Sequence, residues 1–337
     1  MKKLTLAIAL SVLASPSLFA NPAGSPGTEF QTQQFLEVLA QDKGTPLHLR
    51  SPQAVRKILS DGQKGAQLAP ADVSKKTIRV NGDTLELTIV KPVNSKGDIP
   101  AFMYFHGGGW VIGDYPTHER LIRDLVVRSG AAAIYVDYDL SPEVKYPTAI
   151  NQGYAATKWV AENGHKIGVD GSKLAVAGNS AGGNMATVVS MKAKEAGTPN
   201  IQFQLLLWPV TDSNPHYPSY NEYAQGHFLS RDLMAWMWDH YLEKPEQRNE
   251  IYAAPLRASV EQLKGLPPAL IQVAEKDILR DEAEAYARKL NKAGVPVTIT
   301  RYNGMIHDFG LLNALSNVQA VQDSLDQAGT ALNKHLF

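Results

Sequence analysis

The spacing of apolar and polar positions changes once along the chain. Between about residues 28 and 72, Phe30, Phe35, Leu36, Val38 and Leu39, then Val55, Ile58 and Leu59, recur at helical spacing. The run is interrupted around residues 43–46 and closed by Pro70, so it predicts packing helices. From Lys76 the period shortens. Segments 77–80 and 85–90 read as two strands around Asn81, Gly82 and Asp83, a hairpin signal. Short apolar runs follow at 101–105, 131–136, 173–177, 203–208, 269–274 and 297–302. Amphipathic stretches at 117–128, 149–162, 181–195, 282–292 and 318–336 separate most of them. Eight strands alternating with helices after an initial hairpin predict an α/β domain, with a mostly parallel sheet flanked by helices.

One segment breaks the alternation. Residues 212–245 are rich in aromatic residues, among them Tyr217, Tyr220, Tyr223, Phe228, Trp236 and Trp238. They include a helix whose N-cap is Ser230. The segment follows directly on a strand end, where α/β folds carry binding loops, so it reads as a cap or pocket wall. Residues 21–75 read as the N-terminal helical part of the same cap, and 76–337 as the main domain.

The first twenty residues have the layout of an export leader. Lys2 and Lys3 precede an apolar run from Leu4 to Leu13, and Leu18, Phe19 and Ala20 offer a cleavage site. The reading is export, to the periplasm or beyond. The run is too short for a stable membrane span. The 337-residue chain balances 33 basic against 33 acidic residues, which gives no basic surplus for nucleic acid. It has no cysteine, which excludes disulfides, a thiolate nucleophile and cysteine-held metal.

Three motifs carry chemistry. Gly178, Asn179, Ser180, Ala181 and Gly182 join an apolar strand to a helix. A serine on so sharp a turn is lifted out of the packed interior, and small residues two before and two after let strand and helix approach. His106 and three glycines, Gly107, Gly108 and Gly109, follow the strand ending at Phe105. Consecutive glycines cost entropy and let backbone N–H groups approach a ligand. A phosphate-binding loop would need a different spacing or a following lysine. The N–H groups of Gly107, Gly108 and Ala181 are therefore read as an oxyanion hole. Serine needs a base, and the base an orienting carboxylate, placed after later strands with the acid first. Asp277 and His307 meet that order, while Asp281 and Glu282 read as first-turn helix acids. No metal site is read.

These stretches, together with residues 136–143, resemble the hormone-sensitive-lipase-like branch of bacterial esterases (family IV), of the α/β-hydrolase fold. The resemblance covers most of the chain after residue 76. It implies a carboxylester hydrolase with catalytic Ser180, Asp277 and His307, a helical cap and no cofactor. Its substrates would be short- to medium-chain acyl esters, met by Trp110, Phe228 and Trp236. An amidase or lactonase using the same triad is the alternative, or a non-catalytic binder on the same scaffold. The partner is a small-molecule ester, and a homodimer is left open. The sequence departs from the family pattern at Asn179, usually Asp; at Ile278, usually Pro; and at Asp139 and Ser141, usually Arg and Ala. The last pair implies a rearranged ion pair.

Overall fold

The computed structural model describes residues 23–80 and 82–337. The expected leader, and Asn81 of the hairpin turn, lie outside the described residues. Eight strands form one sheet: β1 (Ala71–Val80), β2 (Asp83–Pro92), β3 (Ile99–Phe105), β4 (Ala132–Asp137), β5 (Val169–Asn179), β6 (Ile201–Leu207), β7 (Ala269–Lys276) and β8 (Val297–Ile306). Their spatial order is β1-β2-β4-β3-β5-β6-β7-β8. β2 runs antiparallel to β1 and β4, and every other neighbour pair is parallel.

The helices are α1 (Phe30–Leu39), α2 (Pro52–Gly62), α3 (Tyr115–Ser129), α4 (Thr148–Asn163), α5 (Ala181–Ala196), α6 (Pro218–Glu222), α7 (Arg231–Tyr241), α8 (Val260–Leu263), α9 (Arg280–Lys292) and α10 (Gln319–Leu336). They cover both faces of the sheet, and the alternation of side chains along each strand divides the core accordingly. On β3, Ala101, Met103 and Phe105 pack with Val160 of α4, Met185 of α5 and Leu290 of α9. Phe102 and Tyr104 point the other way, into Leu121 of α3 and Leu325 and Leu332 of α10. Strands buried on both faces explain why the central runs read as continuously apolar.

β1 begins at Ala71, six residues before the expected strand. Most of this edge strand is exposed, so burial leaves no mark on its sequence; pairing from Ala71 with Pro92 to Val80 with Asp83 makes it a strand. The N-terminal helices are also shorter than the apolar spacing implies. α1 stops at Leu39, and only a single 3₁₀ turn, Leu47–Leu49, stands before α2. Between β6 and β7 the chain leaves the sheet through α6, α7 and α8. Ser230 caps α7 by accepting from the Leu233 N–H at 3.1 Å.

An ion pair reaches the stretch around Asp139 and Ser141 from α2. Arg56 of α2 donates to both carboxylate oxygens of Glu143, at 2.8 and 2.7 Å, and to the carbonyls of Val111 and Ser141. It ties α2 to the glycine loop region. Asp139 instead accepts from Gln152 at 2.7 Å.

Candidate active site

Ser180 stands alone between the last residue of β5 and the first of α5. Its backbone is held at φ +53° and ψ −121°, a region that costs a non-glycine residue free energy. The surroundings impose it. The Ser180 N–H donates to the Leu207 carbonyl at 2.9 Å, and its own carbonyl accepts from the N–H groups of Asn184 and Val210. The turn closes because Gly182 has no side chain: a Cβ there would lie 1.9 Å from the Phe105 carbonyl oxygen.

The ends of β7 and β8 bring the other two groups. Asp277 and His307 are each the first residue past their strand. Asp277 Oδ2 lies 2.6 Å from His307 Nδ1, and His307 Nε2 lies 3.0 Å from Ser180 Oγ. A carboxylate can only accept, so Asp277 holds the ring proton on Nδ1 and leaves the Nε2 lone pair facing the serine. Burial disfavours the imidazolium, but the Asp277 and Asp308 carboxylates outweigh it and hold His307 above the usual histidine value. The turn after Asp277 lacks proline yet is anchored: Asp277 Oδ1 accepts from the Leu279 N–H at 2.9 Å, and the Ile278 carbonyl from Ser219 Oγ at 2.6 Å.

The glycine loop departs from expectation at two residues. The Gly107 N–H is already engaged by Asn179 Oδ1 at 3.0 Å, so it cannot serve an oxyanion. The N–H groups of Gly108, Gly109 and Ala181 have no acceptor among the described residues. Gly109 thus has the open N–H that Gly107 lacks. Gly108 and Gly109 have φ of +104° and +60°, which turns the loop in a way open to glycine. Trp110, expected to meet substrate, is fully buried; its ring stacks on Tyr241 of α7 at 4.0 Å and 3°. It clamps the glycine loop to the excursion. Phe228 and Trp236 are half-buried, against Phe35 of α1 and His240 of α7 respectively. His106 braces the loop: its ring stacks on Tyr138 at 4.3 Å, its Nδ1 lies 2.7 Å from the Gly107 carbonyl, and burial lowers its pKa to about 4.

Several contacts had no sequence signal. The segment before α1 is strapped to the loops carrying the site. Gly24 N–H donates to Gly226 O, Lys276 Nζ to Pro26 O, and Glu29 N–H to Gly304 O, at 2.8, 2.9 and 3.0 Å. Glu282 lies in the first turn of α9, as its sequence position predicts. It is fully buried, and its Oε1 accepts from the N–H groups of Thr211 and Asp212 at 2.7 and 3.1 Å. Burial pushes its carboxyl well above the usual range. It pins the start of the excursion to α9, the helix that follows Asp277. Glu282→Leu would strand both donors, and about 2–5 kcal/mol of stability should be lost. Denaturant unfolding would read this; an unchanged midpoint would show that the two N–H groups find other acceptors.

A family profile described as alpha/beta hydrolase fold matches residues 102–311. A thermostable esterase from Pseudomonas putida ECU1011 superposes with a TM-score of 0.92 at 61% identity, covering 93% of this chain and 99% of that one. Carboxylesterase NlhH of Mycobacterium tuberculosis is 35% identical over 266 residues, 78% of this chain and 83% of that protein. Ethyl acetate hydrolase of Pseudomonas putida is 32% identical over 261 residues, 76% and 80% of the two chains. The chain belongs to the α/β-hydrolase fold family, in its hormone-sensitive-lipase-like (family IV) esterase branch. It is a serine esterase.

Proposed function

We propose that the protein hydrolyses short- to medium-chain carboxylic esters through Ser180, His307 and Asp277. The observation that carries this reading is one imidazole spanning Ser180 Oγ at 3.0 Å and Asp277 Oδ2 at 2.6 Å. His307 Nε2 takes the hydroxyl proton as Oγ bonds to the acyl carbon, and the carbonyl electron pair moves onto oxygen. The N–H groups of Gly108, Gly109 and Ala181 receive that oxyanion, each worth about 3 kcal/mol. The imidazolium then protonates the departing alcohol. Water repeats the cycle on the acyl-enzyme, releasing the acid and restoring Ser180. Asp277 keeps the ring oriented and stabilises its cation throughout.

Phe228 and Trp236 form part of the wall that meets the acyl or alcohol group, and their half-buried rings support a pocket of modest size. Two assays test the reading. A fluorophosphonate probe should label Ser180 and no other residue, read by peptide mass spectrometry. Across p-nitrophenyl esters from acetate to palmitate, kcat/KM should peak at or below about ten acyl carbons and exceed that for matched anilides. Failure to label Ser180, or a maximum at palmitate, would overturn it.

Lys2, Lys3, the apolar run to Leu13 and Ala20 support export of the enzyme with cleavage after Ala20. No helix among the described residues is long and apolar enough to cross a membrane. Intact-mass measurement of the protein recovered from its native host tests the cleavage.

A further inference from the structure

A second carboxylate stands beside the imidazole, on its other side. Asp308 directly follows His307, has φ +59° and is 9% exposed. Its Oδ1 accepts from Trp208 Nε1 at 2.6 Å and from Asn179 Nδ2 at 3.0 Å. Its Oδ2 lies 3.8 Å from His307 Nε2, the nitrogen that faces Ser180. No lysine or arginine pairs with this carboxylate among the described residues, so its charge is left to act on the ring.

Asn179 makes the arrangement possible. Its Oδ1 accepts from Tyr104 OH at 2.9 Å and from the Gly107 N–H at 3.0 Å. With the oxygen claimed twice, the amide nitrogen must face Asp308. An aspartate at 179 would put two carboxylates in contact at that point. Here residue 179 is neutral and the carboxylate stands at 308.

We propose that Asp308 is a second charge partner for the His307 imidazolium, and that Asn179 is the neutral donor that lets a carboxylate occupy that position. The inference rests on the triad proposed above. When the Ser180 proton reaches Nε2, the ring becomes cationic between Asp277 on Nδ1 and Asp308 beside Nε2. Asp308 neither takes nor gives a proton; it acts as a positioning residue through its field, which counts for more in a buried site than in water. The other titratable groups around this centre are Tyr104, with Arg120 behind it, near Asp308, and Glu282 and Tyr220 near Asp277.

Asp308→Asn separates charge from packing. Asparagine keeps Oδ1 for Trp208 and Asn179 and tolerates positive φ. The base must be neutral to accept the proton, so activity rises as pH passes upward through the His307 pKa. Without the Asp308 charge that pKa falls, and the acid limb of kcat/KM for p-nitrophenyl butyrate should move down by about one pH unit. Plateau kcat should fall about tenfold, the rate equivalent of one unit. A plateau that drops with an unmoved limb would mean mere loosening and overturn the proposal. Asn179→Asp should cost more than Asp308→Asn, and the double variant should recover part of the activity, because an amide at 308 can donate to the carboxylate at 179, although it then gives up the Trp208 bond that the same Oδ1 accepts. A double variant no more active than Asn179→Asp also overturns it. Turnover surviving in Ser180→Ala would refute the triad instead, so the two failures are distinguishable.

Discussion

Ser180→Ala should lose about 10⁴- to 10⁶-fold in kcat on p-nitrophenyl butyrate while remaining folded. Among the described residues the Ser180 hydroxyl has one side-chain hydrogen-bond partner, His307 Nε2, so its removal strands no other group there. The strained backbone at φ +53° is set by the Leu207, Asn184 and Val210 contacts, which involve only main-chain atoms of residue 180. Thermal midpoints should therefore agree within about 1.5 °C, the equivalent of about 1 kcal/mol in a chain this size. The residual rate measures what the oxyanion donors and binding supply without a nucleophile. A variant that keeps more than about a tenth of the activity would place the nucleophile elsewhere.

Gly182→Ala should be the most damaging single change to the fold around the site. The added methyl would sit 1.9 Å from the Phe105 carbonyl oxygen and 2.7 Å from the His106 carbonyl carbon. Both are backbone atoms, so no rotamer relieves the clash. The loop beginning at Gly107 continues directly from them, so β3 and α5 must part and the oxyanion donors separate. The expected cost exceeds about 4 kcal/mol, beyond the usual range for one substitution. Soluble yield and the midpoint of denaturant unfolding measure it. A well-folded, active Gly182→Ala would show that the elbow has room the packing denies.

Both predictions concern residues that announce themselves in the sequence. The strand–glycine–serine–glycine–helix order requires a tight turn whatever surrounds it. Asp277 and His307 could be found because each follows an apolar run, and such runs end at the same rim of a parallel sheet. Other assignments failed where an amide or a ring had a competing partner. Gly107 and Gly109 are alike as letters; only the Asn179 side chain, brought in by the neighbouring strand, takes the first N–H out of use. Trp110 reads as a pocket aromatic until Tyr241, 131 positions further on, covers its ring. Glu282 is the helix-start acid it reads as, and only its burial against the Thr211 and Asp212 N–H groups carries no sequence signal.

The order of strands and helices, the parallel sheet, the elbow and the family of the enzyme were thus determined by the sequence alone, because period, glycine spacing and chain order act locally or through topology. Which N–H groups stay open, which aromatic rings are spent on packing, and which carboxylates flank the base were decided by the tertiary structure. Each depends on two groups distant in the chain arriving within about 3–4 Å, and at that range one competing hydrogen bond changes what a residue can do.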